Sequence, residues 1–235
     1  MSRLKFNAKN HHYTLDGKPI TGVTTILGVI AKPALIQWSA NMAVDYICEN
    51  ISQLITGDKE TQDRLLLEAR KAHCQKRDKA ADIGTLAHKQ IEKWIKKEAP
   101  EPVSEQVKKM VDNFIDWATK NKVKFLASER QVYSEKYFFC GTYDFLCEID
   151  NKIWLGDIKT SSGIYPEMFF QTAGYQICEE EMKPELKIDG HLIVNLKKDG
   201  TIQEKRSVSN QTNKEAFLAA LTLYRALESV RGRTL

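Results

Sequence analysis

Two aspartates and a lysine fall close together in residues 137–160, YFFCGTYDFLCEIDNKIWLGDIKT. Asp150-Asn151 suits a tight two-residue turn, because both residue types tolerate positive φ. Such a turn pairs Ile149 with Lys152 and carries Asp144 directly opposite Asp157. Opposed residues of an antiparallel pair share one face, with Cβ atoms ~4.5–5.5 Å apart. Two carboxylates so placed repel, and on an otherwise apolar strand an uncompensated pair is costly. Mg²⁺ or Mn²⁺ relieves that cost, since both prefer oxygen ligands and often take one or two carboxylates. Strand alternation turns Lys159 to the face of Asp157 and Ile158 to the other, leaving the Ile158 main-chain carbonyl as a further oxygen. The competing reading is an exposed Asp–Asp–Lys cluster of surface ion pairs, each contributing ~0–1 kcal/mol. A one-residue bulge would also shift the register.

The hairpin needs elements to hold it. Residues 4–20 read as a first hairpin with Asp16-Gly17 as its turn. Thr24 or Thr25 is expected to cap a short helix, and Pro33 to open another running to about Ile51. Residues 59–97 are helical in composition, with a break expected near Gly84. Val107, Met110, Val111, Phe114, Ile115 and Ala118 recur at helical spacing after a Ser104 cap. From Lys124 the pattern becomes strands at 124–133, 137–149 and 152–159, a helix at 166–182, strands at 190–196 and 201–207 joined through Asp199-Gly200, and a helix at 212–230. The expected class is α/β, a mixed central β-sheet flanked by helices, with a mainly helical N-terminal half.

Composition sets the limits. With 235 residues, 42% apolar and 28% charged, the chain reads as a single domain, residues 1–122 mainly helical and 123–235 forming the α/β part. No apolar run approaches the ~20 residues of a membrane helix, and the N-terminus lacks the apolar stretch of a secretory signal; the expectation is a cytoplasmic protein. The five cysteines are scattered, with neither zinc spacing nor a disulfide framework. The net charge of +4 is mild, but residues 70–79, RKAHCQKRDK, hold five basic side chains against one acid. Such a run is more often a solvated helix face than a phosphate track.

G-T-Y-D (Gly141 to Asp144), D-I-K-T (Asp157 to Thr160) and Q-T-A-G-Y (Gln171 to Tyr175), with Gly84-Thr-Leu-Ala-His88 upstream, are four motifs in order at compatible spacing. Together they resemble the PD-(D/E)XK nuclease superfamily, and within it the RecB-like branch of exonucleases, which includes phage enzymes and the mitochondrial single-strand exonuclease. Residues 23–38 bear a looser likeness to an N-terminal helical segment of phage members. The resemblance implies a restriction-endonuclease-like core and a Mg²⁺- or Mn²⁺-dependent deoxyribonuclease. Asp144 and Asp157 would bind the cation with the Ile158 carbonyl, and His88 would add a nitrogen ligand. Lys159 would position or help deprotonate the attacking water and stabilise charge on the phosphate. Gln171 and Tyr175 would brace the site and contact DNA near a free end, and Thr160 would support Lys159.

Several residues carry weaker expectations. Glu92, one turn beyond His88, is either an orienting partner of that imidazole or a plain i,i+4 helix contact. Glu129, on the strand preceding the hairpin, either reaches the site or is a solvated glutamate, the second being favoured, and Met168-Phe169-Phe170 reads as core. His11, His12, His73 and His191 receive no role. Arg70, Lys71, Lys76 and Arg77 are candidates for salt-sensitive contacts to DNA. Cysteine distribution argues against the iron–sulfur cluster of some family members, and with no P-loop any helicase would be a separate chain, as would a single-strand-binding or annealing protein. The rival functions are an endonuclease acting inside strands and a nuclease-derived DNA-binding module without catalysis.

Overall fold

The computed structural model describes residues 3–7 and 12–232; His11 and the 8–11 part of the first hairpin lie outside them. The polypeptide divides into two compact units, Met1–Ile30 with Leu86–Leu235, and Ala31–Thr85.

The larger unit is built on a mixed sheet. Among the described residues eight strands form it: β1 Leu4–Asn7, β2 His12–Leu15, β3 Lys18–Gly22, β4 Lys124–Ser134, β5 Phe139–Ile149, β6 Lys152–Lys159, β7 Gly190–Leu196 and β8 Ile202–Ser207. Their order is β1-β2-β3-β5-β6-β7-β8, with β4 paired along β5. The β3/β5 and β6/β7 pairs are parallel and the rest antiparallel. The first hairpin is thus a three-stranded meander: Asp16 and Gly17 turn it with φ 49° and 83°, and β1 adds to β2.

Helix α1 (Val23–Ile26) has Gly22 as its N-cap, with extended backbone and no capping side chain, so Thr24 and Thr25 lie inside the helix and do not cap it. Helix α2 runs Pro33–Glu49, with proline at the first turn where a missing N–H costs nothing, and α3 runs Ile51–Thr56. Helix α4 continues from Lys59 to Ile95 without the break expected at Gly84. A mid-helix glycine costs only about 1 kcal/mol, and the strong helix formers on either side offset it. Helix α5 (Glu105–Lys120) begins as expected, with Ser104 Oγ accepting from the Val107 N–H at 3.4 Å. Helices α6 (Pro166–Met182) and α7 (Asn210–Val230) complete the chain.

The sheet of the larger unit is packed on both faces. Tyr175 and Cys178 of α6 and Phe217 of α7 bury against Phe139, Tyr143, Leu146 and Leu155. Phe114 of α5 meets Phe125 and Phe145, and Trp94 of α4 meets Phe114 and Phe125 edge-on. The core aromatic residues bury the largest side chains and clamp β4, β5 and β6 from both sides. Met168 and Phe169 are buried with Ile193, as core residues should be. In the smaller unit the Tyr46 hydroxyl hydrogen-bonds Glu68, and Trp38 meets His73 edge-on, so α2 lies against α4. No single helix among the described residues is long and apolar enough to cross a membrane.

Candidate active site

The β5–β6 hairpin turns at Asp150 and Asn151, with φ 52° and 59°, the left-handed pair of a type I′ turn. That turn fixes the register from Ile149↔Lys152 to Phe145↔Gly156. Where the ladder ends, a side chain takes over. Asp144 Oδ2 accepts from the Ile158 N–H at 2.5 Å, so the carboxylate caps the neighbouring strand. Its Oδ1 lies 3.4 Å from His88 Nδ1 on α4.

Asp157 is almost wholly buried, its side chain 3% exposed. Lys159, two residues on along β6 and facing the same way, brings Nζ to 2.5 Å from Asp157 Oδ2. Gln171 of α6 joins the group from above: its Oε1 accepts from Lys159 Nζ at 3.1 Å, and its Nε2 donates to Asp157 Oδ1 at 3.2 Å and to the Tyr175 hydroxyl at 2.9 Å. Gln171 and Tyr175 are one helical turn apart, which is what allows that last bond. The Tyr175 ring sits on β5 because Gly141 leaves room for it: a Cβ on Gly141 would lie 2.4 Å from Tyr175 Cε1.

The site also holds an acid that the sequence reading left in solvent. The rungs Ser128↔Phe145 and Arg130↔Tyr143 leave Glu129 facing Asp144 across the β4–β5 ladder. Glu129 is half-buried, and its backbone is left-handed, φ 47°. One donor atom from each of His88, Glu129 and Asp144 lies within 4.8 Å of the others. Spacing alone could not decide between site and solvent for this residue, because a register shift between Phe125 and Ala127 precedes it.

The electrostatics reflect crowding of carboxylates. Burial and then repulsion from Asp144 and Glu92 push Glu129 up to about 7. Asp157 is pushed up to about 6, burial outweighing the Lys159 ammonium while Asp144 adds repulsion. Asp144 moves the other way: burial opposes its charge, but His88, Lys159 and the Ile158 N–H together hold it below the usual carboxylate range. Burial alone would depress His88, yet the Asp144 carboxylate holds it above its ordinary value. Oxygen and imidazole donors converging on a buried, acid-rich point are a set that Mg²⁺ or Mn²⁺ fits.

No family model and no curated protein matches the chain. A solved structure titled "Crystal structure of SSO0001" aligns with a TM-score of 0.31 at 14% identity, over 48% of this chain and 57% of that one. At that score the likeness bears on neither fold nor activity.

The remaining residues singled out from the sequence fall as follows. Glu92 forms an i,i+4 ion pair with Lys96. Thr160 follows Lys159 at the end of β6, and the next residue is pinned: Ser161 N–H donates to Asn195 Oδ1 at 3.0 Å, and Asn195 Nδ2 donates back to the Ser161 carbonyl at 3.1 Å. Ile158 touches the site through its N–H. Arg70, Lys71, Lys76 and Arg77 are exposed on α4 in the smaller unit, Arg77 paired with Asp78. His191 is fully buried, its Nε2 2.7 Å from Gln176 Oε1 and its Nδ1 3.1 Å from Asn213 Nδ2.

Proposed function

We propose that this chain is a Mg²⁺- or Mn²⁺-dependent nuclease of the PD-(D/E)XK type, hydrolysing DNA phosphodiester bonds from free ends. The observation that carries the reading is the meeting of His88 on α4 with Asp144 on β5, next to the buried Asp157–Lys159 pair of β6; the Asp157 carboxylate falls outside the His88–Glu129–Asp144 group. His88 and Asp144 would hold the cation, with Asp157 and, by resemblance, the Ile158 carbonyl completing its ligands. A bound divalent cation neutralises phosphate charge and lowers the pKa of water, the two things slow phosphodiester hydrolysis lacks.

The side chains do the rest. Lys159 presents an ammonium beside the carboxylates, where it can hold a non-bridging phosphate oxygen and stabilise charge that grows during attack. Gln171 fixes that ammonium through its Oε1 and Asp157 through its Nε2, so one side chain sets both distances. Tyr175 locks Gln171 in turn. Preorganisation of this kind spares the site from rearranging as charge develops. The basic face of α4 would add sequence-independent attraction for DNA. We place the protein in the cytoplasm, working beside single-strand-binding, annealing or helicase proteins.

Purified protein should degrade end-labelled linear DNA in Mn²⁺ or Mg²⁺ and stop on addition of chelator. Closed circular single-stranded DNA should survive. Nicking of the circle would replace end-directed cutting by an endonuclease, and inertness toward both substrates in either metal would leave a DNA-binding module without catalysis.

A further inference from the structure

The site is asymmetric about Asp144. On the β6 side the protein satisfies its own charges: Asp157 is held by Lys159 and Gln171, and Asp144 Oδ2 takes the Ile158 N–H. On the β4 side it does not. Among the described residues no hydrogen bond or ion pair meets the Glu129 carboxylate, although that side chain is half-buried and faces Asp144. The neighbouring lysine on that side, Lys96, is engaged by Glu92. A half-buried carboxylate facing another carboxylate, with no cationic partner, is an unfavourable arrangement that a bound cation relieves.

The backbone is shaped for this placement. Ser128 and Arg130 keep their rungs on β5, and Glu129 alone departs, into the left-handed region that L side chains rarely adopt. Arg130 is fastened behind it, its Nε 2.9 Å from Oε2 of Glu179, a fully buried carboxylate on α6. Strained non-glycine residues persist where their surroundings over-determine them, and they gather at working sites.

We propose that Glu129 is a direct ligand of the divalent cation, forming with His88 and Asp144 a set that reaches across β4, β5 and α4. The inference rests on the reading that this site takes such a cation. Two oxygen donors and one imidazole nitrogen suit Mn²⁺ in particular, which accepts nitrogen more readily than Mg²⁺ does.

The test is Mn²⁺ binding to the full-length protein, followed by electron paramagnetic resonance or calorimetry without DNA. Glu129→Gln keeps the shape and removes the charge. Glu129→Asn keeps the left-handed backbone, which asparagine tolerates, and withdraws the donor. Glu92→Gln removes an equal charge nearby without removing the proposed donor. Loss of a direct ligand should weaken Mn²⁺ at least as much as the ~10–100-fold typical of losing an outer-shell partner. Both Glu129 variants should therefore lose tenfold or more, with metal-free melting no lower than the wild type's, and Glu92→Gln should lose clearly less. Wild-type affinity in Glu129→Gln, or equal losses in Glu92→Gln and Glu129→Gln, would overturn the assignment, as would a wild type that binds no Mn²⁺. The two readings separate cleanly. Glu129-dependent Mn²⁺ binding without DNA cleavage keeps the ligand and removes the nuclease; metal-dependent cleavage with Glu129-independent affinity does the reverse.

Discussion

Replacing Gly141 by alanine probes how tightly the helix carrying Gln171 is seated on the strand carrying Asp144. The new methyl carbon would lie 2.4 Å from Cε1 and 3.0 Å from Cδ1 of Tyr175. Comfortable carbon–carbon contact is about 3.5–4.0 Å, so ring and strand must part by about an ångström. The ring has little room to give: Tyr175 is 3% exposed within the core shared with Phe139, Tyr143 and Phe217. Its hydroxyl is also tied to Gln171. Overpacking of this kind costs about 1–3 kcal/mol. Against it, alanine at a position that does not need positive φ stabilises by about 0.4–1 kcal/mol through the unfolded chain, and Gly141 is not among the positive-φ glycines. The clash wins, by about 1 kcal/mol at the middle of these two ranges. Urea denaturation should show that loss in Gly141→Ala as a lower midpoint at unchanged slope. In a Tyr175→Leu background, where the ring is gone, the same substitution should be neutral or mildly stabilising. An equal cost in both backgrounds would refute the packing argument. Cleavage should also fall in Gly141→Ala more than stability explains, because Gln171 moves with the ring.

His191 predicts a pH dependence away from the site. Burial, and then Lys214, depress its pKa from 6.5 to about 4. Its stability contribution is present above pH 6.5 and is lost as pH falls toward 4, reaching about 3 kcal/mol at ~1.4 kcal/mol per unit. The stability difference between wild type and His191→Gln should therefore narrow between pH 7 and pH 4.5, and a constant gap would contradict the buried neutral imidazole. Neutralising Arg70, Lys71, Lys76 and Arg77 together should flatten the salt dependence of single-stranded DNA binding, by up to about 3 in the log–log slope at ~0.7 per phosphate contact. An unchanged slope returns those residues to solvent.

Some of this was legible because local chemistry determined it. The left-handed pair Asp150-Asn151 admits few turns, and a two-residue turn dictates register, so β5 and β6 could be aligned from spacing alone as far as Phe145↔Gly156, where the ladder ends one rung short of Asp144 and Asp157. Gln171 and Tyr175 were equally plain, since helical periodicity puts i and i+4 on one face. Glu129 was hidden. Its strand reaches β5 through an irregular turn, shifts register near Phe125, and turns left-handed at the residue in question. Alternation cannot be counted through such a segment. His191 was obscured differently: it lies in an apolar strand, GHLIVNL, and its partners Gln176 and Asn213 come from two separate helices. The continuity of α4 through Gly84 shows how little weight one glycine carries in a helix of 37 residues.

Lys159→Ala gives the most direct test of the account. The substitution removes an ammonium that touches Asp157 and Gln171 but leaves His88, Glu129 and Asp144 in place. Single-turnover cleavage of end-labelled DNA in Mn²⁺ should slow by about 10²–10³ or more, the scale of losing one aimed electrostatic donor, while Mn²⁺ binding holds and the variant, though melting lower for want of a partner to Asp157, stays folded at the assay temperature. Cleavage by the variant at the wild-type rate would contradict the claim that this cluster is where the phosphodiester bond is broken.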